Sequence, residues 1–175
     1  MTTATQNLEN DHVYILKLID TMEIATMQEK PVIENLKTMV SLIRNFADGL
    51  HHAKEENLLF PKMEERGFSS QVGPVAVMLH EHVIGRNYVK GMAEGIVEFE
   101  KGNGQGLKSI YQNMNGYIEL LRNHINKENN ILFRMADNAL SENDQQELLA
   151  KFEEVEAATQ TNFTEQILKL EEFYK

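Results

Sequence analysis

Three of the six histidines in this 175-residue chain are followed four residues later by glutamate: His51 by Glu55, His52 by Glu56 and His124 by Glu128. Four residues is close to one helical turn, so each pair projects from one face with Cβ atoms roughly 5–6 Å apart and can reach a single cation. The competing reading of any one pair is a solvated ion pair contributing a few tenths of a kcal/mol at most. Recurrence along the chain argues for a site instead. No cysteine is present, which excludes disulfides, iron–sulfur clusters, thiolate zinc and cysteine nucleophiles, and leaves imidazole and carboxylate as the donors for any metal.

The apolar residues around each histidine sort the candidates by face. His51 continues a stripe of Val40, Ile43 and Ala47 and is followed by Leu58, whereas His52 has Asn45, Asp48 and Gly49 beneath it. On α-helical spacing His51 with Glu55 is the inward pair, and His52 with Glu56 is solvated. His124 lies over Tyr117, Leu120 and Leu121, and Ile131 follows Glu128. His12 sits between Leu8 and Ile15. His80 and His82 are about 200° apart on a helical wheel, so at most one points inward, and periodicity does not choose between them. A buried glutamate needs a partner, and one shared metal centre serves two carboxylates and several imidazoles at once.

Helices must position these residues. Apolar residues at three- and four-residue spacing predict helices over residues 5–27, from 32 to a kink or end at Pro61, over 75–100, and from 107 towards 135. The third is apolar nearly all round. Gly67 is suited to a C-terminal cap, Pro74 to a first helical position, and residues 102–106 to a flexible loop. Ser141 starts a last amphipathic segment, broken near residues 159–162. With no strand-like alternation, the expected fold is all-α: an antiparallel up-down four-helix bundle (residues 1–138) with a C-terminal helical extension (139–175) packed on it. Seventeen basic against 27 acidic residues give a charge of −10, which disfavours nucleic acid and anionic membranes as partners. A polar start and no membrane-length apolar run predict a cytoplasmic protein.

The ordered set Asp11-His12, His51-His52-Ala53-Lys54-Glu55-Glu56 running into Leu59-Phe60-Pro61, Glu81-His82 with Gly85-Arg86, and His124-Ile125-Asn126-Lys127-Glu128 running into Leu132-Phe133 resembles the hemerythrin-like, HHE cation-binding domain. The resemblance covers roughly residues 6–138. It implies the ligands His12, His51, Glu55, His82, His124 and Glu128, and two non-haem irons joined by the carboxylates and an oxo or hydroxo group, with Mn or Zn as substitutes. It also implies small ligands such as O2, NO or peroxide, and oxidoreductase chemistry if the protein is an enzyme; no electron donor is indicated. Six such residues leave about two of twelve octahedral positions open. Oxygen-carrying hemerythrins take a fifth histidine from HxxxH on the third helix. Here Met78 and Arg86 flank His82 at those spacings, so the carrier signature is incomplete. A sensor whose C-terminal helix reports occupancy is an alternative. Iron donation is a weaker one, since the family's repair proteins carry a cysteine-bearing N-terminal segment. Tyr117 could bond a ligand or merely fill the core, and Glu81 could support His82.

Overall fold

The structure is a computed structural model and describes residues 2–175. Every regular element among the described residues is helical. Helix α1 (Ala4–Thr26) starts at a capping box in which Thr3 accepts from the Gln6 N–H and the Gln6 side chain returns the bond. Helix α2 (Ile33–Leu42) runs on through wide π-helical turns at Ile43–His52 and Glu55–Leu59 into α3 (Phe60–Glu65). Pro61 was expected to kink or end this helix, yet helical backbone continues to Glu65. The proline falls in the first turn of α3, just after the π turn, where the Phe60 N–H bonds the Glu55 carbonyl five residues back. Gly67, at φ +95°, then stops the rod in a left-handed conformation.

Helix α4 (Pro74–Glu100) returns, and α5 (Gln105–Lys127) continues through a third π turn (Glu128–Leu132) into α6 (Phe133–Ala139). Helix α4 carries apolar residues on more than one face but is covered on one: it buries Val75, Met78, His82, Val89, Met92 and Ile96 and leaves Val77, Val83 and Val97 about half exposed. The connection to α5 is also shorter than the expected 102–106 loop. Gly106 is already helical and buried, and a Cβ there would lie 2.4 Å from the Phe99 backbone nitrogen, so only glycine lets α4 and α5 close at this end.

Two apolar clusters fill the bundle. One holds Ile15, Ile43, Val89 and Ile125; the other holds Leu8, Leu59, Met78 and Leu132. Between them lie His12 on α1, His51 to Glu55 on the second rod, His82 on α4, and His124 with Glu128 on the fourth. Read in chain order, successive rods cross this polar layer in alternating directions, as an antiparallel up-down bundle requires. Helices α7 (Glu142–Ala157) and α8 (Phe163–Phe173) lie against the bundle, burying Leu148 and Phe152 in one cluster and Ile167 and Leu170 in the other. A Ser141–Asp144 capping box starts α7. No helix among the described residues is long and apolar enough to cross a membrane.

Candidate metal centre

All six residues expected from the sequence meet in the polar layer and are at most 2 % exposed. They fall into two halves. His12 Nε2 lies 2.9 Å from His51 Nε2, and His82 Nε2 lies 3.1 Å from His124 Nε2. The carboxylates span the halves. Glu55 places Oε1 3.6 Å from His51 and Oε2 3.5 Å from His82, while Glu128 places Oε2 3.3 Å from His12 and Oε1 3.1 Å from His124.

A further histidine joins them. His52, Glu55, His82 and His124 each offer a donor atom within 4.8 Å of the others, as do His12, His51, Glu55 and Glu128. The expectation that His52 and Glu56 form a solvated pair is therefore wrong. His52 is 5 % exposed and its ring stacks 3.8 Å from that of His82. The π turn accounts for it: with more residues per turn than an α-helix it brings two adjacent histidines closer to one face, so that both reach inward. Glu56 turns instead to His82, accepting from Nδ1 at 2.7 Å. His80 faces solvent.

Each ring is held from behind. Asp11 faces His51 Nδ1 at 3.1 Å, Asp48 faces His52 Nδ1 at 3.3 Å, and Glu81 faces His124 Nδ1 at 2.9 Å; the Asn129 amide oxygen faces His12 Nδ1 at 2.6 Å. Glu81 thus supports His124, across the helix pair, and not the neighbouring His82. Cations stand behind the carboxylates: Lys54 behind Asp11, Arg86 behind Asp48 and Glu56, and Lys127 behind Glu81. A carboxylate can only accept, so Nδ1 carries the proton and, in a neutral ring, Nε2 presents its lone pair inward.

Protonation follows from this crowding. Burial and the neighbouring His12 bring His51 down to about 4; burial and His82 hold His52 well below its usual range; burial also lowers His82. Burial opposes charge on His124 too, but Glu128 and Glu81 raise it to about 9. Burial and repulsion from Glu128 push Glu55 well above the carboxylate range. For Glu128 burial acts upward, but His124 and His12 win and keep it ionised. Even so, all four oxygens of Glu55 and Glu128 are buried with no donor in hydrogen-bonding geometry. Unpaired buried carboxylates are costly; a charged His124 and a raised Glu55 offset part of that cost, and the inward lone pairs of the remaining rings offset none. Cations do satisfy both, so the donor set fits two metals with nitrogen and oxygen ligands.

A cavity of about 130 Å³ reaches only one half. His52, His82, Gly85, Tyr117, Leu120 and His124 contribute to its walls. On the other side the Phe133 ring stacks against His12 at 5.5 Å and Lys54 is fully buried.

A helical bundle whose core gathers imidazoles and carboxylates from four rods defines the class: an all-α protein with a ligand set built for cations. The family model for the hemerythrin HHE cation binding domain matches residues 3–136, and the chain belongs to that family. Among curated relatives, the iron-sulfur cluster repair protein YtfE of Pectobacterium carotovorum subsp. carotovorum (strain PC1) is 37 % identical over 89 residues, 49 % of this chain and 40 % of that protein. The protein of the same name from Yersinia pestis (strain Pestoides F) is 39 % identical over 90 residues, with the same shares. The match thus spans about two fifths of the length of these relatives. No solved structure matches the chain significantly.

Proposed function

We propose that this chain is a two-iron protein that binds small oxidants, such as O2, NO or peroxide, at the one coordination position its donors leave open. The observation that carries this reading is the set of four orphaned carboxylate oxygens shared between two imidazole sets, with a cavity opening beside the centre. Iron, when bound, would supply the redox change and the coordination position for a small ligand. His12, His51, Glu55 and Glu128 would hold one ion, and His52, His82, His124 and the same carboxylates the other.

The protein's own residues then set access and polarity. Leu120 and Leu121 keep the cavity largely apolar, suiting uncharged diatomics, while Arg44 and Lys90 on its walls attract small anions. Burial, aided by Asp48, raises the Tyr117 phenol, so its hydroxyl stays protonated and can donate within the cavity. With five imidazoles in place of four, about one position stays open, not the two counted from the sequence; it falls to the His12/His51 ion, since three imidazoles would complete six donors on the other.

Iron analysis with optical spectra of anaerobic, air-exposed, NO-treated and peroxide-treated protein tests this. Two irons per chain and an NO-dependent spectrum are expected; less than one iron after anaerobic loading refutes it. Repeated peroxide consumption would add an oxidoreductase activity. The iron-sulfur cluster repair role in the relatives' name favours a second reading, in which iron is cargo donated to damaged iron–sulfur clusters. Iron transfer to an apo iron–sulfur protein, faster than to a chelator of equal affinity, would favour that reading.

A further inference from the structure

The cations behind the histidines are not alike. Arg86 and Lys127 are each more than a third exposed, whereas Lys54 is fully buried. Its ammonium donates to Asp11 Oδ2 at 2.7 Å, Asn7 Oδ1 at 2.8 Å and Glu156 Oε1 at 2.7 Å. Those three acceptors use its three N–H bonds. The Asn7 amide also donates to Glu156 at 3.1 Å, and the Phe152 ring lies 5.4 Å from the ammonium. Glu156 and Phe152 both belong to α7, beyond the residues that match the family model.

We propose that Glu156 is a positioning residue for the metal held by His12 and His51, so that the C-terminal extension is part of the centre and not only its cover. This rests on the two-metal reading above. The argument is one of charge. Asp11 serves two donors, Lys54 and His51 Nδ1, through the same oxygen. With Glu156 in place, two carboxylates share one ammonium, and Asp11 keeps enough negative charge to hold the His51 ring and strengthen its inward nitrogen. Without it, the buried ammonium takes Asp11 as its sole anion, and Asp11 becomes a poorer acceptor for His51. The other half has no such dependence: Asp48, Glu56 and Glu81 support it, with Arg86 and Lys127 behind.

The test uses full-length protein loaded anaerobically with Fe(II), in which transfer of each iron to a colorimetric chelator is followed in time. Partners behind a metal-ligating imidazole typically change metal affinity 10–100-fold, so Glu156→Gln should release one of its two irons about tenfold faster and leave the other rate unchanged. Glu156→Asp should restore the slow rate, and Glu154→Ala, an exposed change on the same helix, should match wild type. If Glu156 acts through Asp11, Asp11→Asn alone and combined with Glu156→Gln should release iron at one common rate, a non-additive pair. Unchanged release from both Glu156→Gln and Glu156→Ala overturns the proposal. So does equal acceleration of both irons with a lowered melting temperature, the signature of a mere brace. Wild-type protein that takes up no iron would overturn the two-metal reading, and this proposal with it; wild type with two irons and an indifferent Glu156 would overturn this proposal alone.

Discussion

Glu55, like Glu128, reaches both halves of the centre, and replacing it should uncouple metal binding from folding. With free metal at 100 times each dissociation constant, each site stabilises wild-type protein by about 2.7 kcal/mol, roughly 5 kcal/mol for two. At about 2–4 °C per kcal/mol for a domain of this size, loading should raise the melting temperature by roughly 10–20 °C. Glu55→Gln removes a charged oxygen from both halves. Weakening each site about 100-fold leaves under about 1 kcal/mol in total, and a shift under about 4 °C. Apo protein should behave differently. Glu55 is protonated there, held neutral by burial and by Glu128, so glutamine is a near-isosteric neutral replacement whose amide can donate to the ionised Glu128. The apo variant should therefore melt at or slightly above wild type. Glu128→Gln should instead lower apo stability, because it takes the anion away from protonated His124. Anaerobic scanning calorimetry with and without Fe(II) measures all six states. A metal-induced shift in Glu55→Gln as large as in wild type would refute the shared-carboxylate geometry; a destabilised apo Glu55→Gln would refute the assignment of the proton.

The same protonation states predict a proton count. His124 is raised to about 9 and so is protonated in apo protein at pH 7, and burial shifts Glu55 towards its neutral form, so filling the centre should release at least one proton, read by titration calorimetry in buffers of differing ionisation enthalpy; release of none would contradict the assignment. The linked stability has a definite sign. A histidine raised to about 9 contributes stability below its usual value near 6.5 that is lost as pH rises through 9, and a carboxyl raised by burial works the same way. The lowered His51, His52 and His82 act oppositely near 6.5, so apo protein should melt progressively lower from about pH 7.5 to 9, where those three are neutral folded and unfolded. His52→Ala should weaken one bound metal while His80→Ala changes nothing, as equilibrium dialysis would show; equal effects would remove His52 from the centre. Gly106→Ala should cost about 1–3 kcal/mol, since its methyl group would meet backbone that cannot yield, and chemical denaturation would detect this; unchanged stability would mean α4 and α5 can part there freely.

Most of the bundle was legible because its signals are local. Spacing of three and four marked the helices, Pro74 and Ser141 marked starts, and Gly67 marked a stop. His51, Glu55, His124 and Glu128 were legible because an HxxxE pair repeats and apolar neighbours point it inward, and His12 because apolar residues flank it; His82 was preferred to His80 only through the family resemblance, since spacing left both open. Two things were hidden for physical reasons. A π turn changes which residues share a face without changing composition, so His52 was assigned to solvent on a pitch the chain does not keep. Partners chosen across helices leave no mark on local spacing: Glu81 looked like support for His82 and serves His124, and Glu56 looked like the mate of His52 and serves His82. The adjacent histidines, each with a glutamate four residues on, were the one available hint that both faces of that turn were in use.

The π turns bear on function as well as on prediction. They occur where the second rod supplies His51, His52 and Glu55, and where the fourth supplies Glu128. The first and third rods, which supply one histidine each, are regular α-helix. Neighbours on a regular helix are about 100° apart, and the smaller step of a π turn brings two adjacent imidazoles and the residue four positions on closer to one face. By widening two rods, the chain places an additional imidazole on the cavity side without lengthening any helix. That makes the halves unequal: the cavity-side half gathers three histidines beside an open space, while the buried half has two and lies next to Phe133 and Lys54. With two shared carboxylates and a shared solvent oxygen, three imidazoles would complete six donors on the cavity side and two would leave five on the buried side, so this division of ligands would make two bound ions chemically unequal within one layer of the bundle.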